Sequence, residues 1–242
     1  MVEIKFNIDG WLALSSGLHN TVDWQNWLDN NKQWPHKAEQ VASDLIPPMM
    51  RRRMSRLSKI AVQTALQLSQ GKPVEYIVFA SRHGELTRTV ELLKDIMSGE
   101  DASPLAFSQS VHNTAAGLFT IASDRAIPAT SLAAGENCLS SALVEAFCYL
   151  SENPEHNVLV VDFDEPLPEL YLQYETQNFQ SYALALLISS GKDYCLTIKN
   201  NTKQVASKTP HALQLIDFLL NFQEHKSMLM QGFSKQWTWV RK

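Results

Sequence analysis

The chain has 242 residues, 45% apolar and 19% charged, with a net charge of −4. That is enough chain to bury a core in one large or two small domains, in proportions ordinary for a globular protein. The acidic balance argues against a nucleic-acid binder, whose phosphate contacts need clustered Lys and Arg. Residues 2–14 alternate through Ile4, Phe6 and Ile8 and predict a strand, broken or bulged at Asp9-Gly10. Thr21 is placed to cap a short helix that carries Trp24, Trp27 and Leu28 on one face and ends at Asn30-Asn31. Residues 31–48 are polar and Pro-bearing and predict a loop.

Residues 50–68 predict one continuous helix, with Met54, Leu57, Ile60, Ala61, Ala65 and Leu68 near one face, stopped at Gly71 and Pro73. At its start Arg51, Arg52 and Arg53 are followed by Arg56 and Lys59. That run is either a solvated helix start or a docking patch for an acidic partner. The apolar run Tyr76-Ile77-Val78-Phe79-Ala80 predicts a strand covered on both faces, turning at Ser81-Arg82-His83-Gly84. Residues 85–98 predict an amphipathic helix with Leu86, Val90, Leu93 and Met97 on one face.

The middle of the chain predicts helix, strand, tight turn, helix. Residues 113–123 form a small-residue helix and 131–134 a short strand. Gly135, Glu136 and Asn137 make the turn, and 137–152 form a second small-residue helix. A strand that hands the chain to a helix N-terminus is a common place for chemistry in α/β folds. Two small-residue helices on a central strand predict dense packing or a subunit interface. Val158-Leu159-Val160-Val161-Asp162 predicts another buried strand, followed by the acidic loop Asp164 to Pro168. Residues 182–189 and 194–199 flank Ser190-Gly191-Lys192-Asp193 and predict a β-hairpin. A last helix is expected over 212–222 and a short aromatic end at Trp237-Thr238-Trp239-Val240. The expected architecture is a single α/β domain over 1–242 with helices on both faces.

Cys138, Cys148 and Cys195 make an odd count without paired spacing. That argues against a disulfide framework, and the lack of CxxC argues against structural zinc. Glu3, Lys5 and Asp9 interrupt any signal-peptide core, and no apolar run nears the roughly 18 residues of a membrane span. A cytoplasmic protein is the expectation. GxGxxG, GxxxxGK[ST], GxSxG, HExxH and EF-hand loops are absent, which argues against dinucleotide, P-loop and hydrolase chemistry.

The quoted elements resemble the first half of a β-ketoacyl synthase, a thiolase-fold family. The resemblance rests on Ser81-Arg82-His83-Gly84-Glu85, Ser103-Pro104 with Phe107-Ser108, Val111-His112-Asn113 with Gly117, and Asp162 through Pro168. It covers about residues 1–190. It implies a thiolase-like mixed sheet truncated to about the N-terminal half of a synthase. In that family a Cys at the strand–helix turn attacks an acyl thioester, its thiolate favoured by the helix N-terminus. Aligning Ala133-Ala134-Gly135-Glu136 with that turn puts Glu136 in the nucleophile's place, and a carboxylate cannot do that work. Cys138 lies two residues on, about 200° around a helix. The family's later catalytic histidines and Gly-rich signatures are missing, and His211 and His225 are expected on the surface or on a helix face.

A short synthase-like chain without its nucleophile resembles a chain length factor, as in bacterial aryl-polyene clusters. The resemblance implies a non-catalytic partner that forms a heterodimer with a full-length ketosynthase and helps wall its acyl tunnel. It places His112, Asn113, Phe119 and Glu136 at the tunnel or interface and implies no cofactor and no metal. An acyl carrier protein would dock through Arg51, Arg52, Arg53 and Arg56. Two readings stand beside it: His112 as a core or cap histidine, and a self-sufficient cysteine acyltransferase or thioester hydrolase using Cys138 with His83 or His112. A half-fold is also expected to leave an apolar face bare and to be poorly soluble alone.

Overall fold

In the computed structural model the described residues are 2–36, 39–202, 207–221, 223 and 226–242. Among them, seven strands form one mixed sheet in the order β3-β2-β4-β5-β7-β6, with β1 pairing β5 on its other side. The strands are β1 (Val2–Ser15), β2 (Tyr76–Ala80), β3 (Ala129–Leu132), β4 (Asn157–Asp164), β5 (Tyr182–Asn200), β6 (Ser227–Gln231) and β7 (Lys235–Arg241). β2 is parallel to both β3 and β4, and every other pairing is antiparallel.

The central strands are buried on both faces, so side-chain alternation sends their residues into two cores. Val158 and Val160 of β4 join one core, and Leu159, Val161 and Phe163 join the other. The first core is covered by α1 (Thr21–Asp29), α7 (Cys138–Glu152) and α8 (His211–Leu220). The second is covered by α3 (Arg56–Ser69) and α6 (Thr114–Ser123).

The structure corrects several expectations. No hairpin turn stands at residues 190–193. β5 runs unbroken through them and is paired to β1 on both sides, with Asn7 opposite Ser189 and Phe6 opposite Tyr194. The four residues bulge out, and the Asn7 side chain accepts from the backbone N–H of Lys192 (3.0 Å) and Asp193 (3.2 Å). These bonds satisfy amides that a hairpin turn would have turned to itself. The bulge foreseen at Asp9-Gly10 is present as a register shift between Ile8 and Gly10.

The helix expected over 50–68 is two pieces, α2 (Pro48–Arg51) and α3. Ser55 breaks it by accepting from Ser58 N–H as an N-cap, and Glu85 locks the break by accepting from both hydroxyls, Ser55 at 2.7 Å and Ser58 at 2.5 Å. The cap of α1 is Asn20 rather than Thr21, because the Asn20 carboxamide oxygen reaches the N–H of Val22 and Asp23. In α4 (Leu86–Met97) the buried residues are Val90 and Leu92, while Leu93 and Met97 are exposed, since α4 packs against α5 (Pro104–Ser108) rather than the sheet. β6 was not foreseen. The aromatic end is β7, paired to it. Phe222 lies outside the described residues.

Candidate functional site

The turn after β3 is a 3-10 turn, Gly135–Asn137, leading directly into α7. Gly135 sits at φ +56°, which its lack of a Cβ permits. Asn137 stands at the N-cap of α7 but makes no capping hydrogen bond. Its Oδ1 instead accepts from Trp237 Nε1 at 2.8 Å. Next to it, Glu136 Oε2 accepts from the backbone N–H of Phe233 at 2.9 Å. Gly232 lies so close that a Cβ there would meet Asn137 Oδ1 at 2.5 Å. The position where the resemblance calls for a nucleophile is therefore bonded to the chain's own β6–β7 hairpin.

Cys138 is turned into the first core and is 3% exposed. Its Sγ accepts from Ala134 N–H at 3.1 Å. Burial, with the carboxyl of Asp162 next in effect, pushes its thiol far above the ordinary cysteine range. It is held as a neutral thiol, the opposite of what a nucleophile needs. Neither candidate base is bonded to it. His83 is exposed, and His112 Nε2 pairs with Ser81 O at 2.9 Å. The His112 ring also packs on Gly84, where a Cβ would meet it at 2.9 Å. His112 is thus a clamp on the Ser81–Gly84 turn.

The remaining foreseen residues are dispersed. Asn113 is exposed at the N-terminus of α6. Phe119 is fully buried against Phe79 in the second core, so it faces neither a surface nor the turn. His211 is a correction, being 3% exposed at the start of α8, with its pKa pushed down to about 4 by burial. His225 lies outside the described residues.

The structure gathers a polar cluster that received no role from sequence. Asp162 and Asp164, two apart on β4, both project toward the first core. Tyr182 donates to Asp162 at 2.9 Å, and Ser81 Oγ donates to Asp164 at 2.8 Å. The N–H of Arg82 also donates to Asp164, and its guanidinium donates to Gln177 and lies 3.9 Å from Glu175. Burial raises both Asp carboxyls, that of Asp164 to about 7, and the neighbouring Asp164 raises Asp162 further. Two acids inside an otherwise apolar strand were the available signal. Among the described residues no group of three His, Cys, Asp or Glu side chains is arranged to hold a metal, and no helix is long and apolar enough to cross a membrane.

Arg51, Arg52 and Arg56 line a cavity of about 460 Å³, and Arg53 is exposed beside it.

Residues 24–240 match the family model of the β-ketoacyl synthase N-terminal domain, well beyond the residue-190 limit of the quoted motifs. A comparison with curated protein sequences finds no match. Among solved structures, the chain is similar to one in the ketosynthase ApeO in complex with its chain length factor ApeC from Xenorhabdus doucetiae. The identity is 28% and the TM-score 0.88, covering 98% of this chain and 100% of that one. It is also similar to the ishigamide ketosynthase/chain length factor, at 15% identity and TM-score 0.65, over 83% of this chain and 68% of that one. The PfaC keto synthase-chain length factor matches at 11% identity and TM-score 0.64, over 100% of this chain and 43% of that one. The last two likenesses are of fold alone.

Proposed function

The chain belongs to the β-ketoacyl synthase family, and from that premise we propose that it is a non-catalytic partner of the chain-length-factor kind for a full-length ketosynthase. The fold is thiolase-like and truncated relative to larger synthase structures, of which it spans 43% to 70%. The observation that carries the reading is the end-to-end match to a chain of a ketosynthase–chain length factor complex. In this reading residues 1–242 act as one synthase-like domain in the cytoplasm. The heterodimer elongates acyl chains in polyketide or aryl-polyene synthesis, and the partner supplies the nucleophile.

Two features support it. The nucleophile position holds Glu136, bonded to the hairpin, while Cys138 is buried and neutral. β3 is a sheet edge whose outer side is unpaired among the described residues, and such an edge is a template for another chain. Beside it α6 exposes Ile121 to 68%, and Leu93, Ile96, Met97, Leu105, Phe107 and Val111 are further exposed apolar side chains on α4 and α5 and just after them. This is the face we assign to the ketosynthase, with Asn113 on its rim and Glu136 near the tunnel. An acyl carrier protein is assigned to the cationic stretch Arg51, Arg52, Arg53 and Arg56.

The test is co-expression with a full-length ketosynthase of the ApeO kind, followed by size-exclusion chromatography with mass detection. A one-to-one complex that extends malonyl-type units, and still does so with Cys138→Ala, supports the reading. A stable monomer or homodimer that ignores the synthase sinks it.

A further inference from the structure

The break between α2 and α3 has a consequence for charge. In one continuous helix the arginines would fan out around the axis. The break instead sets Arg51, Arg52 and Arg56 around the 460 Å³ cavity between the end of β1, the residue 40–43 loop and the start of α3. The cavity is lined by Arg51, Arg52, Arg56 and Lys59, with Ser16 and Ser43 among the neutral lining residues, and among the described residues no Asp or Glu lines it. This is a strongly cationic hollow on a chain of net charge −4.

Two of the cations are held in place. Arg51 Nη1 donates to Ser43 O at 3.0 Å, and Arg56 Nη2 donates to the buried Ser16 Oγ at 2.7 Å. A guanidinium has five N–H donors, so each keeps donors to offer. The side chains of Arg52 and Lys59 make no hydrogen bond or ion pair among the described residues. The N-terminus of the 14-residue α3 adds its partial positive charge. The Glu165 carboxylate feels Arg56 but is bonded to Thr87 Oγ1 and does not line the cavity, and the Glu85 carboxylate at the start of α3 is taken up by Ser55 and Ser58 and does not line it either. Val41 and Ile60 supply an apolar wall. The volume lies within the roughly 300–1,000 Å³ of small-ligand sites.

We propose that this cavity, formed by the α2–α3 break, binds a phosphate-bearing ligand through Arg51, Arg52, Arg56 and Lys59. Anchored guanidinium forks suit phosphate oxygens, and Lys59 adds a mobile point charge. The phosphate belongs either to a free small molecule or to the prosthetic arm of a carrier protein. Because Arg51, Arg52 and Arg56 are also assigned to carrier docking, a free ligand would compete with the carrier.

The probe is inorganic pyrophosphate, titrated by calorimetry at constant ionic strength into the chain in complex with its ketosynthase. The expected result is one saturable site per copy of this chain. The double variant Arg52→Gln, Lys59→Gln touches no internal hydrogen bond and is expected to weaken binding about tenfold or more, with an unchanged melting temperature in the absence of pyrophosphate. Arg53→Gln, outside the cavity, should leave pyrophosphate affinity as it was. Competition by a carrier bearing its prosthetic arm, but not by the armless form, assigns the phosphate to the arm; equal effects of the two forms assign it to a free molecule. Heat that merely tracks ionic strength, or a double variant that binds as the parent does, overturns the proposal. Carrier docking is read separately, since its loss with pyrophosphate binding intact removes only the docking assignment.

Discussion

The two small-residue helices look alike in sequence and have opposite fates. α7 is sealed on its inner face, where Leu139, Ala142, Leu143 and Ala146 are at most 1% exposed in a core that also takes in Leu196, Met230, Trp237, Trp239 and α8, while Cys148 on its outer side is exposed. Those covering residues all come from the chain's last fifty, the part beyond the quoted synthase motifs. α6 is sealed on the side that meets α3 and the sheet, by Ala115, Ala116 and Phe119, and its outer side leaves Gly117 and Ile121 to solvent. The C-terminal segment packs α8 against α7, while among the described residues no such element covers the outer side of α6, the side we assign to the partner. We place the bare apolar face expected of a half-fold at the exposed apolar side chains of α4 to α6.

The sharpest test of that contrast is on the covered side. Trp239 is fully buried, and its ring meets those of Phe6, Tyr194 and Phe218. Trp239→Ala is expected to cost about 3–5 kcal/mol, read by chemical denaturation. A loss below about 1 kcal/mol would mean that the C-terminal segment does not close the α7 core. Ile121→Asp should do the reverse. The chain's own stability should stay within about 0.5 kcal/mol, while a buried unpaired carboxylate abolishes the heterodimer on size exclusion. An Ile121→Asp chain that still assembles would move the partner face elsewhere.

Much of this was legible beforehand. The buried strands β2 and β4, the bulge in β1 and the turn at Gly135 follow from local patterns of apolar runs and glycine. What was not legible depends on contacts far apart in sequence. Residues 190–193 read as a turn because nothing local says that Asn7 will take their amides. The break at Ser55 depends on Glu85, thirty residues on. His211 looked like a surface histidine because its cover, including the neighbourhood of β6, could not be read from the chain. Glu136 was singled out by its position in a motif, but its bond to Phe233 is a pairing across about a hundred residues.

The covered side also carries the chain's pH response. Asp164 is raised to about 7 in the fold from about 3.9 unfolded. The folded state therefore holds the proton more tightly, and stability falls as pH rises from about 4 through about 7. The raised carboxyl of Asp162 adds a fall of the same sign. His211 acts oppositely, lowered to about 4 from about 6.5 unfolded, so stability falls as pH drops through that window. Between about pH 4 and 6.5 the opposite slopes of Asp164 and His211 nearly cancel and Asp162 leaves a net loss, so denaturation midpoints should fall as pH rises from 4.5 to 8, most steeply between about 6.5 and 7 where His211 no longer opposes Asp164. Asp164→Asn should reduce that fall, and His211→Gln should steepen it below about pH 6.5. An unchanged fall in Asp164→Asn would show that Asp164 ionises as freely in the fold as out of it.

The smallest effect is expected at the seam between the two regions, where the hairpin meets the turn. Glu136→Gln keeps an acceptor for Phe233 N–H but removes the charge, and should cost about 1 kcal/mol or less. Gly232→Ala should cost more, because its Cβ would press on Asn137 Oδ1, already committed to Trp237. Neither variant should change the acyl-extension rate of the heterodimer if Glu136 serves to hold the hairpin. If Glu136→Gln leaves stability untouched and lowers the rate, the carboxylate acts on the acyl path itself, and the hairpin bond is incidental to it.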